Sequence, residues 1–160
     1  MSVAFTKEDS AETASETLLP PRPISAEANL VTLAGLRALE VQGERAREAY
    51  EAASAIEDVN ERRRQQAGPF RDFHYYTERL RTAQLVPAPT SNLKVAFSST
   101  VTFVRDDGRQ QKYRIVGEDE ADPRAGSISY VSPIARALMG KAVGDFASFG
   151  DGELEIVAIS

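Results

Sequence analysis

Between Val116 and Asp145 the chain reads VGEDEADPRAGSISYVSPIARALMGKAVGD, a run dense in local structural instructions. Ser132 is placed to cap a helix by accepting from its first free backbone N–H groups. Pro133 suits the first helical position, where its missing N–H would have had no partner. Gly140 stops the helix after Met139, because glycine tolerates the left-handed conformation that ends a helix. The run therefore joins an acidic turn to a strand, and that strand to a short helix over Pro133 to Met139.

The residues around this run supply more strands. Val95, Phe97, Thr100 to Val104 and Tyr113 to Val116 are rich in β-branched and aromatic side chains, which suit a pleated surface. Asp107-Gly108 signals a hairpin between two of these strands, and Asp151-Gly152 repeats the signal before Leu154 to Ile159. Residues 90–160 are thus expected to form a small twisted antiparallel sheet packed on one short helix.

A different period governs the chain from Thr32 to about Gln84. Leu36, Leu39, Gly43, Ala46, Tyr50 and Ala53 follow alternating steps of three and four, the spacing of a coiled-coil seam. Phe73, Tyr76, Leu80 and Ala83 repeat that spacing later, with Gln, Glu and Arg between. Two seams separated by a polar stretch predict an antiparallel helical hairpin over 29–86. Matching the seams puts the turn near Glu57 to Glu61, with the second arm kinked at Pro69. Proline chemistry instead favours a turn at Ala67 to Pro69. Val86-Pro87-Ala88-Pro89 breaks the helix and links it to the strands.

Residues 1–28 are rich in Ser, Ala, Glu and Pro. Such a segment buries too little apolar area to offset its ordering entropy, so a flexible tail is expected. Leu18, Leu19, Pro23 and Ile24 could dock on the body as an extended arm.

Composition narrows the function classes. A formal charge of −5 gives no global basic footprint for duplex binding. Zero cysteines remove a disulfide framework and thiolate metal sites, and fit a cytoplasmic protein. No apolar run approaches the ~20 residues of a membrane span, and the N-terminus lacks the apolar core of a signal peptide. The single histidine, His74, cannot build a transition-metal site. No Walker loop, G-x-S-x-G elbow or dinucleotide fingerprint occurs, so a self-contained enzyme is not expected.

The 116–145 run closely resembles the C-terminal domain of the bacterial Gre transcript-cleavage factors, in which a VG-x-DEAD … G-x-IS-x-x-SP-x-A-x-AL-x-GK-x-VGD pattern recurs. The resemblance is specific over about Val95 to Ile159 and loose over the hairpin. It implies an α+β protein, with an N-terminal coiled-coil hairpin and a C-terminal FKBP-like antiparallel sheet carrying one short helix. It also implies a partner, bacterial RNA polymerase, gripped at the rim of its secondary channel, with nascent RNA approached only indirectly. The surface it marks comprises Asp119, Glu120, Asp122, Pro123, Ile128, Ser129, Ser132 and Pro133. Ser132 is expected to cap its helix, and Gly117, Gly140 and Gly144 to answer backbone needs.

In that family a G-D-x-x-E-N pattern at the coiled-coil tip helps a catalytic metal of the polymerase. Asp58 and Glu61 fall on its two acidic positions, with Glu57 where the glycine stands and Arg62 where the asparagine stands. Two carboxylates at this spacing share one helical face or one tight turn. They could assist the Mg2+ of the polymerase active site, a hard cation that takes oxygen ligands, once the polymerase completes the set. No intrinsic cofactor is expected. Each arm is about one heptad shorter than in standard Gre factors, which removes about 10 Å of reach. The resemblance therefore admits a monomeric cleavage factor or a non-cleaving regulator, the latter akin to the shorter-coil proteins linked to nucleoside diphosphate kinase. A prolyl isomerase is a third reading, disfavoured because the chain has no tryptophan for the floor of such a site.

Overall fold

A computed structural model describes residues 18–160. These group into two compact units: residues 18–25 with Leu39–Arg81, and Ala26–Ala38 with Thr82–Ser160. The expected flexible tail lies partly outside the described residues, which begin at Leu18.

The first unit is helical. Helix α1, Leu33–Ser54, begins in the sheet unit and runs through the hairpin unit, and helix α2 spans Val59–Thr82. The chain turns between them at residues 55–58, and Pro69 lies inside α2. The turn is therefore the one that seam matching indicates. Along α1 the side chains of Leu39, Ala46 and Ala53 are buried seven residues apart. Gly43 falls between the first two, where an added Cβ would sit 3.5 Å from both Leu80 Cδ1 and Tyr76 Cβ of α2. Phe73 departs from the expected second seam, with 40% of its surface exposed. Proline at 69 interrupts the helical hydrogen bonds one turn earlier, and Tyr76 and Leu80 meet α1 without Phe73.

The second unit holds a five-stranded sheet. Its strands are β3 Thr100–Arg105, β4 Gln110–Val116, β5 Ser127–Ser129, β6 Phe146–Phe149 and β7 Gly152–Ile159, in the order β5-β4-β3-β7-β6. The α+β class is as expected, but the sheet is mixed rather than wholly antiparallel, because β4 and β5 pair in parallel. The crossover between them contains the acidic turn and one 3-10 turn, Pro123–Ala125. Helix α3, Pro133–Leu138, covers the sheet, with Ala135 and Leu138 fully buried. The core is built by alternation: Val101 and Phe103 of β3 and Ile156 of β7 are 0% exposed, and Thr102 points the other way. The β6–β7 hairpin closes with Phe149 opposite Gly152, so Gly150-Asp151 forms its tip rather than Asp151-Gly152. Gly150 supplies the positive φ of 61° that the turn needs.

Two further strands, β1 Leu30–Val31 and β2 Gln84–Leu85, pair in parallel within the same unit. Gly117 lies under β1, where a Cβ would come within 2.3 Å of the Leu30 carbonyl oxygen. Only glycine permits that approach. Among the described residues, no helix is long and apolar enough to cross a membrane.

Candidate functional site

The acidic turn of the sheet unit is built around one buried hydroxyl. Thr32 stands before α1 as its cap, accepting from Gly35 N–H at 3.0 Å while its carbonyl accepts from Leu36 N–H at 2.9 Å. The same hydroxyl, in a residue 3% exposed, donates to Glu120 Oε2 at 2.6 Å. A carboxylate beside the first turn of a helix is also favoured by the helix dipole. Gly35 makes room for it, since a Cβ there would stand 2.6 Å from that oxygen. Glu120 is thereby committed within the protein.

Four other marked residues lie at the surface. Asp119, Asp122, Pro123 and Pro133 are exposed. The backbone of Asp122 is held by Ser127, whose hydroxyl accepts from Asp122 N–H at 2.9 Å and whose N–H donates to the Asp122 carbonyl at 3.1 Å. The Asp122 side chain makes no cap hydrogen bond to the 3-10 turn it precedes. Asp122 is thus displayed at the surface on a held backbone.

Of the remaining marked residues, Ile128 is buried and Ser129 and Ser132 are half-buried. Ile128 is 4% exposed and belongs to the core, so it is not the surface position expected of it. Ser129 Oγ accepts from Val131 N–H at 3.2 Å. Ser132 donates its hydroxyl to the Ser129 carbonyl at 2.7 Å and accepts from Ala135 N–H at 3.3 Å. These contacts shape the entry to α3. Thr32 and Tyr130 carry no mark in the sequence pattern, yet both matter here: the Tyr130 hydroxyl donates to the Ala28 carbonyl. Thr32 ahead of a helical pattern is a cap signal in its own right, but nothing local links it to Glu120.

In the hairpin unit, Asp58 and Glu61 come together around the first turn of α2. Asp58 Oδ1 accepts from Glu61 N–H at 2.7 Å, and the Asp58 carbonyl accepts from Arg62 N–H at 2.8 Å, so Asp58 is the N-cap of the helix. The D-x-x-E spacing is therefore also a capping arrangement. Glu61 accepts from Gln65 Nε2 at 2.8 Å and from Arg64 Nη2 at 2.7 Å. Gln65 first, and then Arg64, hold the Glu61 carboxyl below its ordinary value. Arg62 turns back to donate to the Ile56 carbonyl at 2.9 Å. Among the described residues there is no group of three or more His, Cys, Asp or Glu able to hold a metal ion. The tip offers hard oxygen donors of the type Mg2+ takes, but only part of a coordination set.

Residues 90–160 match the family described as transcription elongation factor, GreA/GreB, C-term. The transcription elongation factor GreA of Novosphingobium aromaticivorans is 34% identical over 145 residues, covering 86% of this chain and 87% of that protein. The GreA of Methylobacterium nodulans is 47% identical over 78 residues, 46% of this chain and 49% of that protein. Against several of these relatives the match spans only about half of their length. Among solved structures, the crystal structure of GreA factor homolog 1 of Thermus thermophilus is similar at 25% identity. It covers 82% of this chain and 97% of that one, with a TM-score of 0.40.

Proposed function

The chain belongs to the GreA/GreB family of transcription elongation factors, and on that premise we propose that it binds bacterial RNA polymerase at the secondary-channel rim and stimulates cleavage of backtracked RNA. The observation that carries the binding half is the acidic turn, where Asp119 and Asp122 are exposed while Glu120 is tied to Thr32. A basic or amide-rich partner surface would meet two surface carboxylates, and the backbone of Asp122 at least needs little reordering, which favours complementarity at low entropic cost. Pro123 and Pro133 extend the same exposed surface.

In the cleavage half, Asp58 and Glu61 act as oxygen donors to the Mg2+ of the polymerase, which supplies the activation of water. The chain's own part is to present two ionised carboxylates on a capped helix start. It acts as a cofactor of the polymerase rather than as a self-contained enzyme. A second reading, a non-cleaving regulator, is supported by the same tip: one Asp58 oxygen is engaged in the cap and Glu61 is paired with Arg64.

Cleavage assays on stalled elongation complexes of the cognate polymerase separate the two readings. Asp58→Asn is the informative variant, because asparagine caps helices as well as aspartate and so removes charge without removing the cap. A cleavage factor should lose at least ~10-fold of stimulated cleavage in this variant, with polymerase binding nearly unchanged. A regulator should show little cleavage in the wild type and no response to the substitution. Robust cleavage that survives loss of both Asp58 and Glu61 refutes the role of the tip. Charge reversal at Asp119 or Asp122 should weaken polymerase binding, and full affinity in both variants refutes the rim surface.

A further inference from the structure

The segment ahead of the helices touches the hairpin unit at two places: Arg22 packs on it, while Leu18 and Leu19, 74% and 43% exposed, border a cleft there. The cleft, of about 370 Å³, is also lined by Tyr50, Ala67 and Phe70. The rings of Tyr50 and Phe70 lie 6.0 Å apart. Arg22 sits with its guanidinium carbon 3.9 Å from the Tyr75 ring centre and 5.1 Å from that of Tyr76. Its Nη1 is 3.3 Å from Asp72 Oδ1.

Pro69 falls between these two attachments. It has no N–H for the Gln65 carbonyl one turn earlier, and its ring crowds that carbonyl. A surface groove of about 290 Å³ runs beside it, between Gln42, Ala46 and Ala49 of α1 and Gly68, Pro69 and Tyr76 of α2. The helix thus lacks one of its own backbone hydrogen bonds at this point.

The dimensions of the segment fit a bridge. Pro20, Pro21 and Pro23 flank Arg22 and restrict φ, which lowers the entropy lost on seating an extended chain. Three extended residues from Leu19 to Arg22 reach about 9 Å, enough for the rise of about 8 Å from Ala67 to Asp72 along a helix, a span that contains Pro69.

We propose that residues 18–25 are a resident peptide ligand of an aromatic groove on the hairpin, read through Arg22, and that they splint α2 across Pro69. The splint stiffens the part of α2 before Pro69, which is the part that carries the tip acids. It holds whether the tip cleaves RNA or not, because it rests only on contacts within the hairpin unit.

Amide hydrogen exchange on the full chain tests this. Arg22→Ala should speed exchange of residues 66–76 by about fivefold, the scale of its weak cation–π contacts with Tyr75 and Tyr76 plus one ion pair. Amides of the sheet unit should not change, since the opening is local. Arg22 is half-buried and lies outside the core, so the variant should fold. In a Pro69→Ala background the helix is continuous, and adding Arg22→Ala should speed exchange there by less than about twofold, because little is left to splint. Exchange at 66–76 that ignores Arg22→Ala overturns the proposal. Equal sensitivity with and without Pro69 overturns it too, since the segment would then be attached but would splint nothing.

Discussion

In the sheet unit, ten buried residues from the five-stranded sheet, α3 and Val95 form one cluster around Phe103 and Ile156, where each side chain answers to several neighbours at once. In the hairpin unit the apolar residues buried along α1 are Leu39, Ala46 and Ala53, two of them alanines, and the buried residue of α2 is Arg79. Much of the visible bonding on the hairpin is local: Arg47 with Glu44 and Glu51, Arg64 with Glu61, and Arg81 with Glu78. Such pairs, three and four residues apart, depend on helical spacing more than on the identity of distant residues. A residue of the sheet unit is thus constrained by packing from several directions, whereas most hairpin positions are constrained by spacing alone. The two acidic sites inherit this difference, one fixed through a buried hydroxyl and the other through a helix cap and its own neighbours.

The comparison breaks most readily at the cores. Phe103→Ala should destabilise the sheet unit by about 3–5 kcal/mol, the usual range for emptying a buried aromatic site. Ala53→Gly in the hairpin should cost only about 1 kcal/mol, mainly helix propensity. Denaturant midpoints followed by helical and sheet signals would compare them directly. A similar loss in both would mean that the hairpin seam is as tightly packed as the sheet core, and the contrast would fall.

Two glycines sharpen it further, with opposite signs. At Gly117 the obstacle to a side chain is the Leu30 backbone oxygen at 2.3 Å, which cannot swing away. Gly117→Ala should therefore cost about 1–3 kcal/mol or more through overpacking. At Gly43 the nearest atoms stand at 3.5 Å, an ordinary contact. Gly43→Ala should instead stabilise the hairpin by up to about 1 kcal/mol, by removing a flexible residue from a helix interior. Thermal melts of the two variants should shift in opposite directions.

The same contrast explains how much was legible in the sequence. Most of the α1 seam could be read, because Leu39, Gly43, Ala46 and Ala53 are buried at a spacing that any helix must honour, while Leu36 and Tyr50, expected beside them, are only half-buried. Phe73 misled, since periodicity counts an aromatic as apolar whether or not a partner helix faces it, and here it is largely exposed. Ser132 was readable as a cap because capping chemistry is local. Glu120 could be placed in the acidic turn, but not its commitment to Thr32, which is 88 residues away in the chain. Ile128 was assigned to the surface because a matched pattern does not say which face of a three-residue strand looks inward. The parallel β4–β5 pairing was missed for a related reason: β5 is too short for its pairing direction to leave a pattern.

The finest contrast lies in two solvent-facing carboxylates. Asp107 in the sheet unit and Glu61 in the hairpin are both held below their ordinary values, by different donors. For Asp107 the leading donor is the Arg109 backbone N–H at 3.0 Å, fixed by the turn, with the Arg109 side chain second. For Glu61 it is the Gln65 side chain, followed by Arg64. Both groups therefore favour the folded state above their unfolded values. That contribution should fade as pH falls below the ordinary carboxylate range and through each depressed value. Because both groups are exposed, the effect on stability should be small, and carboxyl NMR titrations are the better measurement. Arg109→Ala should leave Asp107 partly depressed, because its backbone donor remains. Gln65→Ala combined with Arg64→Ala should return Glu61 to the ordinary glutamate range, and 1 M salt should weaken the Arg64 share. If Asp107 recovers as fully as Glu61 when only side chains are removed, then the turn does not fix its donor, and the two regions hold their surface acids by the same means.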